Sequence, residues 1–189
     1  AMVQRKLEAT VATEGRLISE GPACRMVVLN PQPRPESSIS AKSESLNNLS
    51  VVTELVCREQ RVLFTGDIER EALTRLTHSG NSAHIALLKV PHHGAKSSLE
   101  RRWLETIRPA VGVVSAGRRN PYGHPAGEVL AAYQAVETQV WRTDRDGAIW
   151  ADLDLTRQEL SMHSTREWIL QPALPSADIW SVEQDNLRR

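Results

Sequence analysis

From Leu49 to Trp141 the chain alternates short β-rich runs with helical ones, and nearly every run stops at a turn residue. Leu49–Arg58 (LSVVTELVCR) and Arg61–Thr65 (RVLFT) are separated by a short polar turn, a pattern that predicts a β-hairpin. Gly66-Asp67 ends the second strand. A helix is expected from about Glu69 to Leu76, with acidic residues in its first turn, where the helix dipole favours them. Ile85–Val90 (IALLKV) reads as a strand broken by Pro91, Leu99–Ile107 as a helix, and Ala110–Ser115 (AVGVVS) as a buried strand. Pro125 is expected to open a helix running to about Val136, because a first-turn proline loses no hydrogen bond there. Val140–Trp141, Ala148–Leu153 and Glu159–Met162 supply the last strands. Such alternation places the chain in the α/β class, with helices covering at least one face of a sheet. No internal repeat is visible.

The flanks carry less pattern. Residues 3–9 read weakly as a helix, Arg16–Ser19 as extended, and Arg25–Leu29 as an apolar run ending at Asn30-Pro31. From about 31 to 45 the chain is rich in Pro, Ser and charge, so a mobile surface loop is expected. Residues 1–170 are read as one domain, and 171–189 as an irregular tail with Trp180 docking back onto it.

Composition narrows the function classes. Hydrophobic residues at 40% and charged ones at 24% suit a globular domain, and with aromatics at 4% its core must be aliphatic. Lys plus Arg and Asp plus Glu are 23 each, so a nucleic-acid site must be a local basic patch on a neutral body. Cys24 and Cys57 are too few for a disulfide scaffold or a thiolate zinc site. Both lie in apolar, strand-like sequence and are expected to be buried thiols. No run of eighteen apolar residues and no signal-peptide pattern occurs.

Residues able to do chemistry gather after strands. Asp67 follows VLFTG, His92 and His93 follow ALLKV, and Ser115 to Gly117 follow VGVV, with His124 in the next loop. Loops beyond the carboxyl ends of strands form the ligand crevice of open α/β sheets. Each residue also has a plain reading: Asp67 as a helix N-cap, one packed and one exposed histidine at 92 and 93, and His124 as a cap. His78, His84 and His163 are expected to be structural or exposed. No Gly-x-Ser-x-Gly elbow or Gly-rich phosphate loop is present. Lys89, Lys96, Arg118 and Arg119 flank the crevice as DNA-binding candidates. Arg101 and Arg102, beside Glu100 and Glu105, suit a solvated helix face equally well.

The ordered blocks Asn48-x-Ser50-Val51-Val52, Leu63-Phe64-Thr65-Gly66-Asp67-Ile68-Glu69, Leu88-Lys89-Val90-Pro91-His92-His93-Gly94, Asn120-Pro121-Tyr122-Gly123-His124-Pro125 and Arg142-Thr143-Asp144-x-x-Gly147 resemble the C-terminal metallo-β-lactamase-like domain of ComEC-type competence proteins. The resemblance runs from about residue 15 to 155. It implies half of a metallo-β-lactamase-type αββα sandwich, with a mixed sheet and helices on one face. It also implies a soluble domain on the outer face of a bacterial cytoplasmic-membrane protein that imports DNA. The implied task is hydrolysis of the strand that is not imported, with zinc or manganese as the metal. By that pattern Asp67 and His92 are metal ligands, and Asp67, His93 and His124 form the catalytic set. The superfamily's His-x-His-x-Asp-His motif, which carries most of the ligands, is absent. The expectation is therefore a chain that starts midway through the domain, binds metal weakly and hydrolyses little. Two other readings stand beside it: a non-catalytic module binding DNA or the channel, and a metallo-hydrolase of another phosphodiester or ester. Expected partners are DNA, the rest of the parent channel protein, and a second copy meeting an exposed sheet face.

Overall fold

A computed structural model describes residues 11–33, 45–78 and 84–166. Among these, seven strands lie side by side in chain order: β1 (Leu17–Glu20), β2 (Cys24–Asn30), β3 (Val52–Cys57), β4 (Gln60–Phe64), β5 (Leu87–Lys89), β6 (Val111–Val114) and β7 (Gln139–Arg142). The pairs from β1 to β4 are antiparallel and those from β4 to β7 are parallel. Parallel neighbours need a crossover, and α1 (Arg70–His78), α2 (Arg101–Ile107) and α3 (Gly127–Ala135) supply the three. Because the strand order never reverses, crossovers of one hand put all three helices on the same face. There Val52, Leu63, Leu88 and Val114 of the sheet meet Leu73 of α1, Trp103, Leu104 and Ile107 of α2, and Val129 and Tyr133 of α3. The fold is α/β, as the alternation implies, and its sheet is mixed, as the family resemblance implies.

One charge sits inside this layer. Glu54, 5% exposed, accepts from Nε (2.9 Å) and Nη2 (2.6 Å) of Arg61, its diagonal neighbour across the β3–β4 hairpin. A buried carboxylate without such a partner would be expensive.

The other sheet face is apolar at Leu55, Val62, Leu87 and Val113. It is overlain by a second, two-stranded sheet, β8 (Ile149–Asp154) paired with β9 (Glu159–Ser164). A cavity of about 550 Å³ separates the layers, with Ile149 and Leu160 of the hairpin among its lining. The face expected to lie bare for self-association thus has a partial roof from the chain itself, with Phe64 and Trp150 left 40% and 43% exposed.

Three local readings change. Pro125 does not open α3; the helix starts at Gly127 with Ala126 as its N-cap. The Ala126 N–H donates to the Gly94 carbonyl, and that bond fixes Pro125 against Gly94 ahead of the helix. A four-residue helix, α4 (Thr143–Asp146), follows β7, held by Arg142 donating to Asp144 (3.0 and 2.6 Å) and by the Arg142 N–H donating to Asp146. The third change concerns the cysteines: they are joined, not free. The β2–β3 register sets Cys24 opposite Cys57 with Cα atoms 4.1 Å apart, and the adjacent Arg58 N–H to Ala23 carbonyl bond makes theirs the close, non-hydrogen-bonded kind of pair. A separation of 33 residues reveals nothing of that register. The helix expected at 3–9, residues 34–44 of the expected loop, and the tail with Trp180 lie outside the described residues.

Two outcomes follow. Replacing both cysteines by serine should lower the unfolding free energy by about 3–4 kcal/mol, since the bridge closes a long loop; equal denaturant midpoints with and without reductant would refute the bridge. Hydrogen bonds from Arg142 hold the Asp144 pKa below the usual carboxylate value, against the opposing effect of burial. The stability this contributes is present above the unfolded-state pKa and is lost as pH falls through the lower folded one. Asp144→Asn should therefore cost about 1.5–3 kcal/mol at neutral pH and nothing in strong acid, as urea titrations at the two pH values would show.

Candidate functional site

Parallel pairing of β4, β5 and β6 brings their carboxyl ends to one sheet edge, and the loops that follow carry Asp67, His92-His93 and Ser115. The first loop is braced from the side. Gly66 has φ 56°, and a Cβ there would come within 2.7 Å of the Ser50 Cβ. That close approach lets the Ser50 hydroxyl accept the Asp67 N–H at 3.1 Å. Fully buried Asn48 accepts the Glu69 N–H (2.8 Å) and donates to the Glu71 carboxylate (2.9 Å). Asn30 in turn donates to the carbonyls of Asn48 and Ser50. The Asn48-x-Ser50 block is a clamp on the Asp67–Glu69 backbone.

The second loop turns sharply. His92, His93 and Gly94 are all left-handed, with φ of 44°, 57° and 77°. Each non-glycine residue so placed costs about 1–2 kcal/mol, and such strain concentrates at functional sites. The His92 N–H donates to the Gly66 carbonyl, tying this loop to the first. Gly94 cannot be larger, since its Cβ would meet that of Pro125 at 2.6 Å.

The two imidazoles consequently part. His93 Nδ1 lies 2.6 Å from the Ser115 carbonyl, a contact that is attractive only if Nδ1 carries the hydrogen. In the neutral ring Nε2 is then a bare lone pair, and it faces the Asp67 Oδ1 at 3.6 Å. Two acceptors so placed call for a proton or a cation between them. Lys89 supplies part of that charge: its Nζ is 3.7 Å from the same oxygen and donates to the Gly66 carbonyl at 3.0 Å. Burial pushes the Lys89 pKa down, and the attraction of Asp67 resists the shift. His92 turns instead to Glu69, with Nδ1 3.3 Å from Oε1 but without hydrogen-bond geometry. Burial acts to raise the Glu69 pKa, yet hydrogen bonds from Ser45, Ser97 and Asn47 and the His92 charge hold it below its usual value.

His124 completes the group. Its ring centroid is 6.0 Å from that of His92, and burial together with the His92 and His93 charges lowers its pKa. Asn120 fixes the loop that carries it, donating to the Gly117 and His124 carbonyls and accepting the His124 N–H. A cavity of about 280 Å³ opens here, lined by His93, Ser115, Asn120, Tyr122 and His124.

The candidate residues are therefore not equally placed. Asp67 and His93 face each other, His124 lies with the two histidines, and His92 addresses Glu69. Of the basic residues, Lys89 is turned into the site and Lys96 is paired with Glu128 at 3.2 Å. Arg118 and Arg119 are exposed on the loop. Glu69, Asn120, Asn48 and Ser50 carry no individual role in the sequence reading; all four stand in the motif blocks, and Glu69 also in the acidic first turn of the expected helix. For a metal the donors suit in kind but not in number. Asp67 Oδ1 and His93 Nε2 make two, and among the described residues no three His, Cys, Asp or Glu side chains are grouped to hold an ion. Zinc and manganese generally need more protein ligands than this, so the described residues do not by themselves form a metal centre.

Asn48→Ala should cost about 2–3 kcal/mol by stranding buried polar groups, and Ser50→Ala about 1 kcal/mol. Urea unfolding of the two variants checks this, and equal losses would contradict the clamp.

No family model matches the chain. It is 33% identical over 105 residues to ComE operon protein 3 of Bacillus subtilis and 30% identical over 105 residues to Recombination protein 2 of Haemophilus influenzae. It is also 29% identical over 133 residues to the uncharacterized protein YcaI of Escherichia coli. These stretches cover 56%, 56% and 70% of this chain but only 14%, 13% and 17% of the relatives' own lengths. They support the resemblance carried by the motif blocks: the chain is similar to a stretch of about one seventh of the length of ComEC-type competence proteins.

Proposed function

We propose that the chain belongs to the DNA-handling, metallo-β-lactamase-like hydrolase domain of a DNA-uptake protein, and that Asp67 and His93 are its share of the hydrolytic centre. One observation carries this reading: His93 Nδ1 lies 2.6 Å from the Ser115 carbonyl, which turns Nε2 toward a carboxylate oxygen of Asp67 3.6 Å away. A tautomer fixed by a carbonyl behind the ring is the usual support of an imidazole that binds a cation or moves a proton. The names of the competence relatives support the DNA-uptake setting. Two donors do not hold zinc or manganese, so the chain alone is not expected to cleave DNA; the remaining ligands must come from outside the described residues. What these residues do is orient His93, keep a carboxylate beside it and place Lys89 to balance the charge.

The setting proposed is the outer face of the membrane. The Cys24–Cys57 bridge favours an oxidising compartment, and among the described residues no helix is long and apolar enough to cross a bilayer. One observation favours the second reading, a non-catalytic module binding DNA or the channel: the Lys89 ammonium already stands where a cation would neutralise Asp67.

Nuclease activity of the parent protein on single-stranded DNA, with zinc or manganese supplied, separates the two. Asp67→Ala and His93→Ala are each expected to lower the rate by about 10²–10⁴-fold. Unchanged rates in both variants would remove the hydrolytic reading and leave the binding module.

A further inference from the structure

The loop from Ser115 to His124 has features that the hydrolytic pair does not explain. Tyr122, at its tip, is 78% exposed. An exposed aromatic on a floppy loop would mean little, but this one is held. The Asn120 side chain closes the loop through three hydrogen bonds, to Gly117 and twice to His124. The Tyr122 ring lies flat on His124, with centroids 5.8 Å apart and planes 18° from parallel. Among the described residues no other ring touches it, so one π-face is backed by an imidazole and the other is open.

Position and charge add to this. The ring lines the same cavity as His93, Ser115 and His124. Arg118 and Arg119 project from the same loop, and among the described residues neither has an ion-pair partner, whereas Lys89 and Lys96 are held by Asp67 and Glu128. Of these four cations, the two free for an anionic ligand thus stand on the loop that carries the aromatic face. A rigid aromatic surface next to unpaired guanidinium groups is the combination that binds single-stranded nucleic acid: the base stacks on the ring while the backbone phosphates meet arginine. Bases inside a duplex already stack on each other and offer no free face.

We infer that Tyr122, backed by His124 and flanked by Arg118 and Arg119, is a stacking platform for one base of a single DNA strand, seating the strand beside the Asp67–His93 pair. This rests on the DNA-handling reading above and adds which form of DNA is held, and by what. The platform is indifferent to sequence, since every base has a π-face.

Fluorescence anisotropy of the full chain with labelled oligothymidylate, and with an abasic oligomer of equal length and charge, tests it. Wild type should prefer the oligothymidylate. Tyr122→Ala should weaken that binding by about 5- to 150-fold and leave abasic binding unchanged, while Tyr122→Trp retains the preference. Arg118→Ala with Arg119→Ala should weaken both oligomers alike and reduce the salt dependence, by roughly 0.7 in log–log slope for each phosphate no longer neutralised. Wild-type affinity for oligothymidylate in Tyr122→Ala, or an equal loss on both oligomers, would overturn the platform and leave the DNA reading standing. A wild-type chain that binds neither oligomer would overturn both.

Discussion

The position of every candidate residue depends on the pairing of three short parallel strands. Lys89 at the end of β5 stands in register with Phe64 of β4 and Val113 of β6, so the three following loops leave the sheet side by side. Single hydrogen bonds lock the ends together: Thr65 Oγ1 donates to the Lys89 carbonyl at 2.7 Å, and the Val90 N–H to the Val113 carbonyl at 2.8 Å. Such short strands are held less by their own ladders than by burial. Leu63, Leu88 and Val114, all 4% exposed or less, anchor them beneath the helices.

On that edge, strain and polar bonding oppose each other. Consecutive left-handed residues at His92, His93 and Gly94 are unfavourable for a chain of L-residues, yet an uninterrupted extended strand would send the two imidazoles to opposite faces of the sheet. The turn is offset by contacts on all sides: His92 N–H to Gly66, Gly94 against Pro125, and His93 Nδ1 to Ser115. Buried Asn48 does the same for the Asp67 loop. The site is thus rigid in its backbone, and its chemistry lies in which partner each ring nitrogen meets. Lys89 shows the balance most clearly, a half-buried ammonium kept beside Asp67 at some expense in desolvation.

The two sheet faces have different fates. One is sealed by three helices carrying large aliphatic side chains and Trp103. The other meets only the β8–β9 hairpin across a loosely filled gap. A chain with so few aromatics has little large side-chain volume for a second core, and its Trp150 is partly spent on the surface, stacked on His163.

The α/β class, the β3–β4 hairpin, the three crossover helices and the gathering of Asp67, His92-His93 and Ser115 after strands were legible in the sequence. Periodicity, turn residues and strand–helix alternation are local properties that survive in a one-dimensional string. The ordered blocks pointed to Asn48, Ser50, Glu69 and Asn120 as well, but not to what they touch. Tertiary structure alone decided that Cys24 meets Cys57, that Pro125 packs on Gly94 ahead of its helix, that His93 faces Asp67 while His92 turns to Glu69, and that the last hairpin overlies the second face. Those outcomes depend on strand register and on backbone angles at single residues. Both are settled by contacts between distant segments, whose energies no local pattern encodes.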